Sequence, residues 1–456
     1  MARIDDEPLA PVVAGAVPGM VVADVGVDLT AAQGVAEAEV PLILAQSLGQ
    51  YLRAWWARIR SGDSGVLPVL LAMVVVAIVF EVITPENAFL RPSNLVYIFG
   101  LSTVYMVLAM AEIVVLLLGE LDLSIGAVGM MGGVIAYKLV QQPTPNWPWW
   151  AAILVALGCC AVIGFLQGTL VARLRIPAFV VTLGGFLLFS GILILVLGGA
   201  DGFVTASSTI PNQSVLFNLI QGVITPVAGW VALVVLVVIA GAALWFRGAA
   251  RRRSGLVAPP PSLIAIRIVL LAAVGVAVVA ICGVNLPAGV PWAIPIVLVV
   301  MGAWTVLLQQ TRFGRFVYAI GGNPEAARRA GVKLASIRTW SFVLCSVTAG
   351  FGGILLGSFF FGEYSSNTAD PGQLVLYSVA AAVIGGTSLF GGRGKPVHGL
   401  LGGFLIGMIA YGVSLLSLGD LAVPMEYIVP GAVLLAAVLV DVLSRRGART
   451  GSVARV

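Results

Sequence analysis

Apolar residues run along this chain in blocks of roughly twenty, separated by short polar intervals. The blocks lie at about 65–84, 94–118, 122–141, 149–172, 176–199, 224–246, 263–283, 291–310, 339–361, 374–391, 398–417 and 423–443. Each block is continuous rather than alternating. About twenty helical residues at ~1.5 Å per residue span the hydrocarbon core of a bilayer. A transmembrane barrel would instead show alternating segments of ~10 residues. The pattern predicts an all-α polytopic membrane protein with about 12 hydrophobic segments, some short or broken.

The polar intervals orient those segments. Basic residues collect in loops on the cytoplasmic side. With the amino terminus inside, the inner intervals hold Arg173 and Arg175; Arg247, Arg251, Arg252 and Arg253; six basic residues between 311 and 339; Arg393 and Lys395; and Arg445, Arg446, Arg449 and Arg455. The outer intervals hold Arg91, with Lys138 close to another. The first inner turn, Gly119–Leu121, has no basic residue. An error of one span would invert every later loop, and none looks inverted. Both termini are therefore expected in the cytoplasm. Residues 1–62 read as a flexible acidic tail, with Asp5, Asp6, Glu7, Asp24, Asp28, Glu37 and Glu39 against Arg3. It ends in an interfacial basic and aromatic segment, YLRAWWARIR at 51–60. Residues 63–444 form the membrane domain and 445–456 a basic cytoplasmic tail.

Composition agrees. The 456 residues are 60% hydrophobic and only 10% charged, against about 25% charged in soluble domains. Mean hydropathy is +1.06. The net charge of +5 belongs to inner loops and does not point to nucleic acid. Cys159, Cys160, Cys282 and Cys345 all fall inside apolar blocks and read as small hydrophobes, not as a disulfide framework.

The longest polar interval after the first sixty residues is Thr311–Thr339, and it carries the first candidate site. Asn323 is placed as a helix N-cap, with Pro324 at the first helical position and Glu325 in the first turn. Arg328 and Arg329 stand towards the other end, and Gly331 closes the helix. NPEAARRAG thus encodes a two-turn helix with its own start and stop, too short to be stable unless packed.

Three further stretches are candidates for a pathway or gate. In Gly119–Gly126 (GELDLSIG), Asp122 or Ser124 can cap the third helix at the inner surface, which is the preferred reading. Alternatively Glu120 and Asp122 line a gate, because ionisable residues at membrane depth mark function. Glu112 lies deeper and either faces a polar interior, the preferred reading, or pairs with a residue that the sequence does not name. In IPAFVVTLGG, Pro177 starts the fifth helix, and Thr182, Gly184 and Gly185 favour close helix packing over substrate contact. In Ile384–Lys395, Gly385, Gly386, Thr387 and Ser388 open a glycine-rich run. Such backbone is tolerated at membrane depth only when buried in protein or lining a cavity. It predicts a short or broken helix bending into a tight inner turn. The run is not a phosphate-binding loop: Leu389 stands where its first glycine belongs, and Pro396 where Ser or Thr belongs. His398, the single histidine, reads as a satisfied residue at a helix start. No spacing suggests a metal site or a nucleophile–base pair, so an intramembrane enzyme has little support.

These residues also carry a resemblance. Asp122–Gly126, Phe179–Gly184, Thr311–Arg315, Gly321–Arg328 and Ile384–Leu389 follow one another as in the permease subunits of ATP-binding-cassette importers for monosaccharides. The chain most resembles the xylose type, through the extra apolar pair at 224–283 and the ending that begins Val423-Pro424-Met425-Glu426. The resemblance implies a pore formed with a second copy of the chain, and a cytoplasmic ATPase that binds ATP and Mg while this chain binds no cofactor itself. It also implies an extracytoplasmic sugar-binding protein that delivers a monosaccharide, xylose first among pentoses. Asn323, Pro324, Glu325, Ala326, Ala327, Arg328, Arg329 and Gly331 would be the coupling helix seated in the ATPase. In that reading Ala326 and Ala327 allow a close seat, and Arg328 and Arg329 meet acids of the partner. The match to the wider importer loop signature ends where Ser341 replaces the expected Ile. Two rivals are a proton-coupled secondary transporter and a permease for branched-chain amino acids.

Overall fold

The computed structural model describes residues 65–199, 202–255, 259–285, 289–365 and 370–453, with 49–51, 53 and 56. Beyond residue 436 only Leu439 has a described side chain. The acidic stretch 1–48 and most of the 51–60 segment lie outside the described residues, as do the side chains of the basic end.

The apolar blocks become α1 (Leu67–Ile83), α2 (Pro92–Leu117), α3 (Ile125–Val140), α4 (Trp149–Arg173) and α5 (Ala178–Leu197). After α6 (Pro211–Gln221) come α7 (Pro226–Arg253), α8 (Pro261–Gly283) and α9 (Ala293–Gln310). Then come α10 (Arg312–Gly322), α11 (Pro324–Arg329), α12 (Leu334–Phe359), α13 (Pro371–Ile384), α14 (Pro396–Ser414) and α15 (Ala422–Val453). Among the described residues nine helices are long and apolar enough to cross a membrane, and α1, α3 and α13 are shorter apolar helices. Together these are the twelve expected segments. Hydropathy did not reveal α6 or α10, because both are short and half polar. Two antiparallel pairs complete the described fold: β1 (Phe203–Thr205) with β4 (Glu363–Ser365), and β2 (Val223–Ile224) with β3 (Val290–Pro291).

One expected segment is corrected. The block 374–391 is helical only to Ile384 within α13, and Gly386 then turns to φ +111°. Apolar composition continues past the point where the glycines release the helix. Beyond that point the chain bends into an inner turn, as the glycine-rich run itself predicts.

The molecule is organised around α2, whose spanning window is 94% buried. α12, α13 and α14 pack directly on it. Lipid is as apolar as the side chains, so association within the bilayer rests on close contact rather than on removal from water. Small residues supply that contact. An ideal Cβ on Gly353 of α12 would overlap the Gly129 carbonyl of α3, and one on Gly402 of α14 would overlap the Ala381 carbonyl of α13. The outer layer is different: in the spanning windows of α4, α5, α7 and α8 only 11–22% of residues are buried. Apart from the arginines towards their inner ends, their exposed side chains are mainly apolar, as lipid contact requires.

The loops sort onto two faces. On one, the Gly392 N–H donates to the Leu117 carbonyl (2.9 Å), the Thr182 hydroxyl to Leu121 (3.3 Å) and the Thr339 hydroxyl to Gly168 (3.2 Å). On the other, Tyr137 donates to the Leu216 carbonyl (3.1 Å), Asn212 to Asn146 (3.0 Å) and Ser358 to Phe217 (2.7 Å). The first face holds the arginine-rich loops and is the inner one. The second carries α6 and the strand pairs.

Candidate functional site

The inner face carries an elbow made of α10 and α11. Thr311 caps α10, its hydroxyl accepting from the Gly314 N–H at 3.2 Å. Val317 and Ile320 are buried, whereas Arg312, Arg315 and Phe316 are exposed. Asn323 ends α10 and caps α11, its Oδ1 accepting from the Ala326 N–H at 3.0 Å. Pro324 occupies the first turn, where its missing N–H is not needed. The other end closes with Val332 N–H on the Ala327 carbonyl (3.1 Å) and Gly331 N–H on Arg328 (3.0 Å). Gly331 has φ +83°, so this is a Schellman closure. The start and stop read from the sequence are both present. Glu325, Ala326, Arg328 and Arg329 face solvent, and Ala327 is buried against the protein itself. Ala326 is therefore the alanine that an inner partner would meet. Arg328 pairs with Glu325 on its own helix at 2.8 Å, with both side chains exposed.

The elbow is fastened to the helices behind it. The Tyr318 hydroxyl donates to the Gly394 carbonyl at 2.7 Å. Gly321 lies so close to the Leu117 carbonyl and the Gly392 nitrogen that no larger residue fits. Gly391 and Gly392, both at positive φ, pack against Gly119 and Gly321. The elbow, the inner end of α2 and the 385–395 loop thus form one block. A further tie comes from Arg338 at the start of α12. Its Nε lies 3.0 Å from Glu120 Oε1, with the side chains 27% and 12% exposed. The N–H is not in line for a hydrogen bond, so charge rather than directed bonding joins them. Burial pushes the Glu120 carboxyl above its ordinary range, and the Arg338 guanidinium draws it partly back.

Behind Glu120 the expectation of a surface helix cap fails. Asp122 and Ser124 are fully buried. Ser124 occupies the N-cap position of α3 but makes no side-chain cap. Asp122 Oδ1 accepts from the Ser124 N–H (2.9 Å) and hydroxyl (2.6 Å), and Oδ2 accepts from the Cys345 thiol (3.6 Å). Gln167 of α4 joins through Ser124 at 2.9 Å. Glu112 Oε1 accepts from the Asp122 N–H at 3.1 Å, which supplies the partner that the sequence left unnamed. Burial strengthens the hydrogen bonds among these polar groups and makes an unpaired one costly, which favours their pairing with one another. Gln167, Cys345 and Arg338 were not singled out as site residues, because the sequence positions that join them are far apart.

Thr182 and the glycine-rich run are also located. The Thr182 hydroxyl donates to Ala178 at 2.9 Å as well as to Leu121. Gly185 packs on Gln167, but Gly184 has open space around it, so only one of the two is a packing glycine. Thr387 and Ser388 are buried. Thr387 lies 3.5 Å from His398 Nδ1, and Gly385 sits against the His398 carbonyl. His398 is in the first turn of α14, the helix start expected for it. No group of three His, Cys, Asp or Glu able to hold a metal occurs among the described residues.

Comparison with known proteins adds independent findings. A model of the family described as branched-chain amino acid transport system / permease component matches residues 94–438. The xylose transport system permease protein of Escherichia coli is 30% identical over 381 residues, covering 83% of this chain and 92% of that protein. The ribose import permease protein of Escherichia coli is 27% identical, covering 82% and 92%. The fructose import permease protein of Rhizobium meliloti is 28% identical, covering 73% and 72%. No solved structure matches.

Proposed function

We propose, for a chain that belongs to the family of branched-chain amino acid transport system permease components, that it is the transmembrane subunit of an ATP-driven monosaccharide importer in the cell inner membrane. Hydrolysis belongs to a separate ATPase subunit. Two copies form the pore, and an extracytoplasmic binding protein delivers a pentose, with xylose the first candidate. The observation that carries the substrate class is the similarity, over 73–83% of this chain, to permeases named for xylose, ribose and fructose. That similarity favours sugar over the branched-chain amino acids of the family description.

The mechanism rests on the elbow. The ATPase receives the exposed face of α11, with Ala326 at the contact and Arg329 exposed to meet an acid. α10 is clamped to the inner end of α2 and to the loop between α13 and α14. A displacement of α11 therefore moves the central helix and its neighbours as one block, while Arg338–Glu120 carries it to the α2–α3 turn. Differential binding of ATP across the two pore states supplies the free energy. Thr182, Gly385, Gly386, Thr387 and Ser388 stand beside the moving parts as gate elements.

The test is reconstitution with the cognate ATPase and binding protein, followed by labelled sugar uptake. Xylose uptake should require ATP, persist after the proton gradient is collapsed, and be competed by pentoses but not by leucine. Uptake that survives ATP depletion and stops with an uncoupler would replace this reading with secondary transport.

A further inference from the structure

α7 and α8 form a hairpin that hangs from the rest of the protein by its outer end. There, Leu233, Val279, Cys282 and Val290 form a small core of their own. Asn285 donates to the Pro92 carbonyl at 3.1 Å, and β2 pairs with β3. Further in, the two helices pack mainly on each other, Gly241 against Ile268 and Gly248 against Ile264. Their remaining surface is apolar and open, with Val238, Ile239, Phe246, Val269 and Leu270 each more than half exposed.

At the inner end the chemistry changes within one turn. Arg247, Arg251, Arg252, Arg253 and, on α8, Arg267 are all exposed. No acidic residue occurs anywhere between Asp201 and Glu325. No carboxylate pairs with these five arginines among the described residues. Arg252 is held in place: its Nη1 donates to the Pro259 carbonyl at 3.2 Å, and its guanidinium lies 6.0 Å from the Trp245 ring. Trp245 marks the depth at which acyl chains give way to headgroups. Guanidinium forks match phosphate oxygens, and long arginine side chains reach the headgroup layer from helix ends.

We propose that the inner end of the α7–α8 hairpin binds the phosphate headgroups of anionic phospholipids. The lipid-facing sides of both helices bring such molecules to the arginines, which have no carboxylate partner among the described residues. This contact tethers to the inner leaflet a hairpin whose described packing on the rest of the protein lies mainly at its outer end. The acidic amino-terminal stretch is the rival occupant, since Arg267 donates to the Tyr51 hydroxyl at 3.4 Å, beside the end of that stretch.

The experiment is native mass spectrometry of the full chain released from bilayers of equal phosphatidylglycerol and phosphatidylcholine. Wild type should retain phosphatidylglycerol at least about threefold over phosphatidylcholine, in keeping with the pull of clustered basic residues on anionic lipid. R247Q/R251Q/R253Q, shown to be folded by its thermal unfolding, should retain both lipids about equally. Equal retention by wild type, or undiminished selectivity in the triple variant, overturns the proposal. A selectivity that emerges only when Asp24, Asp28, Glu37 and Glu39 are neutralised also overturns it, and assigns the patch to the tail. Because the readout is lipid retention, the result is independent of whether the importer reading holds.

Discussion

At the residue scale, the buried group around Asp122 behaves as a structural knot. Asp122 accepts three bonds from Ser124 and Cys345 and offers its N–H to Glu112. Asp122→Ala strands those donors in a buried site and should cost about 3 kcal/mol or more, read as lowered thermal stability of the purified protein. Glu112→Gln keeps an acceptor for the Asp122 N–H and should stay within about 1 kcal/mol of wild type. Adjacent glycines provide a sharper contrast. Gly185→Ala drives a methyl into the Gln167 amide and should destabilise by about 1–3 kcal/mol. Gly184→Ala meets nothing and should be neutral or slightly stabilising by helix propensity. The sequence read this pair alike, because composition carries no information about which face of α5 meets α4.

At the element scale, α11 was the most legible part of the chain. Its cap, first-turn proline and closing glycine are all local signals, and all are in place. The amphipathic α10 beside it was missed, since eleven mixed residues leave no hydropathy trace. Ala326→Trp adds bulk on the exposed face of α11 only. It should leave insertion and basal ATPase activity intact while lowering uptake by about tenfold, within the usual range of a coupling free energy. Parallel loss of ATPase activity and uptake would place the defect elsewhere. The Glu120–Arg338 tie predicts a swap result: each single reversal should impair uptake, and Glu120→Arg with Arg338→Glu together should recover part of it. No recovery in a folded double variant would mean that the pair does not transmit movement.

At the scale of the whole molecule, helix alternation fixes two faces with different chemistry. A cysteine at Ser208, on the α6 face, should react with a membrane-impermeant thiol reagent from outside. A cysteine at Lys333 should react only after permeabilisation. The reverse pattern would invert the protein and remove the elbow from any ATPase. By itself the sequence determined the class, the number and order of apolar segments, their orientation, and one capped helix on the inner face. These come from hydropathy, charge asymmetry and short-range capping, which act within a few residues. Only the tertiary structure decided that α2 is the central helix, that Asp122 is interior, and that Arg338 meets Glu120. It also decided that the elbow locks onto the glycine-rich loop, with Tyr318 bonded to Gly394 across a long stretch of chain. Those outcomes depend on which small residues let two backbones approach and on which polar groups find each other out of water, and neither is encoded in any one window of the chain.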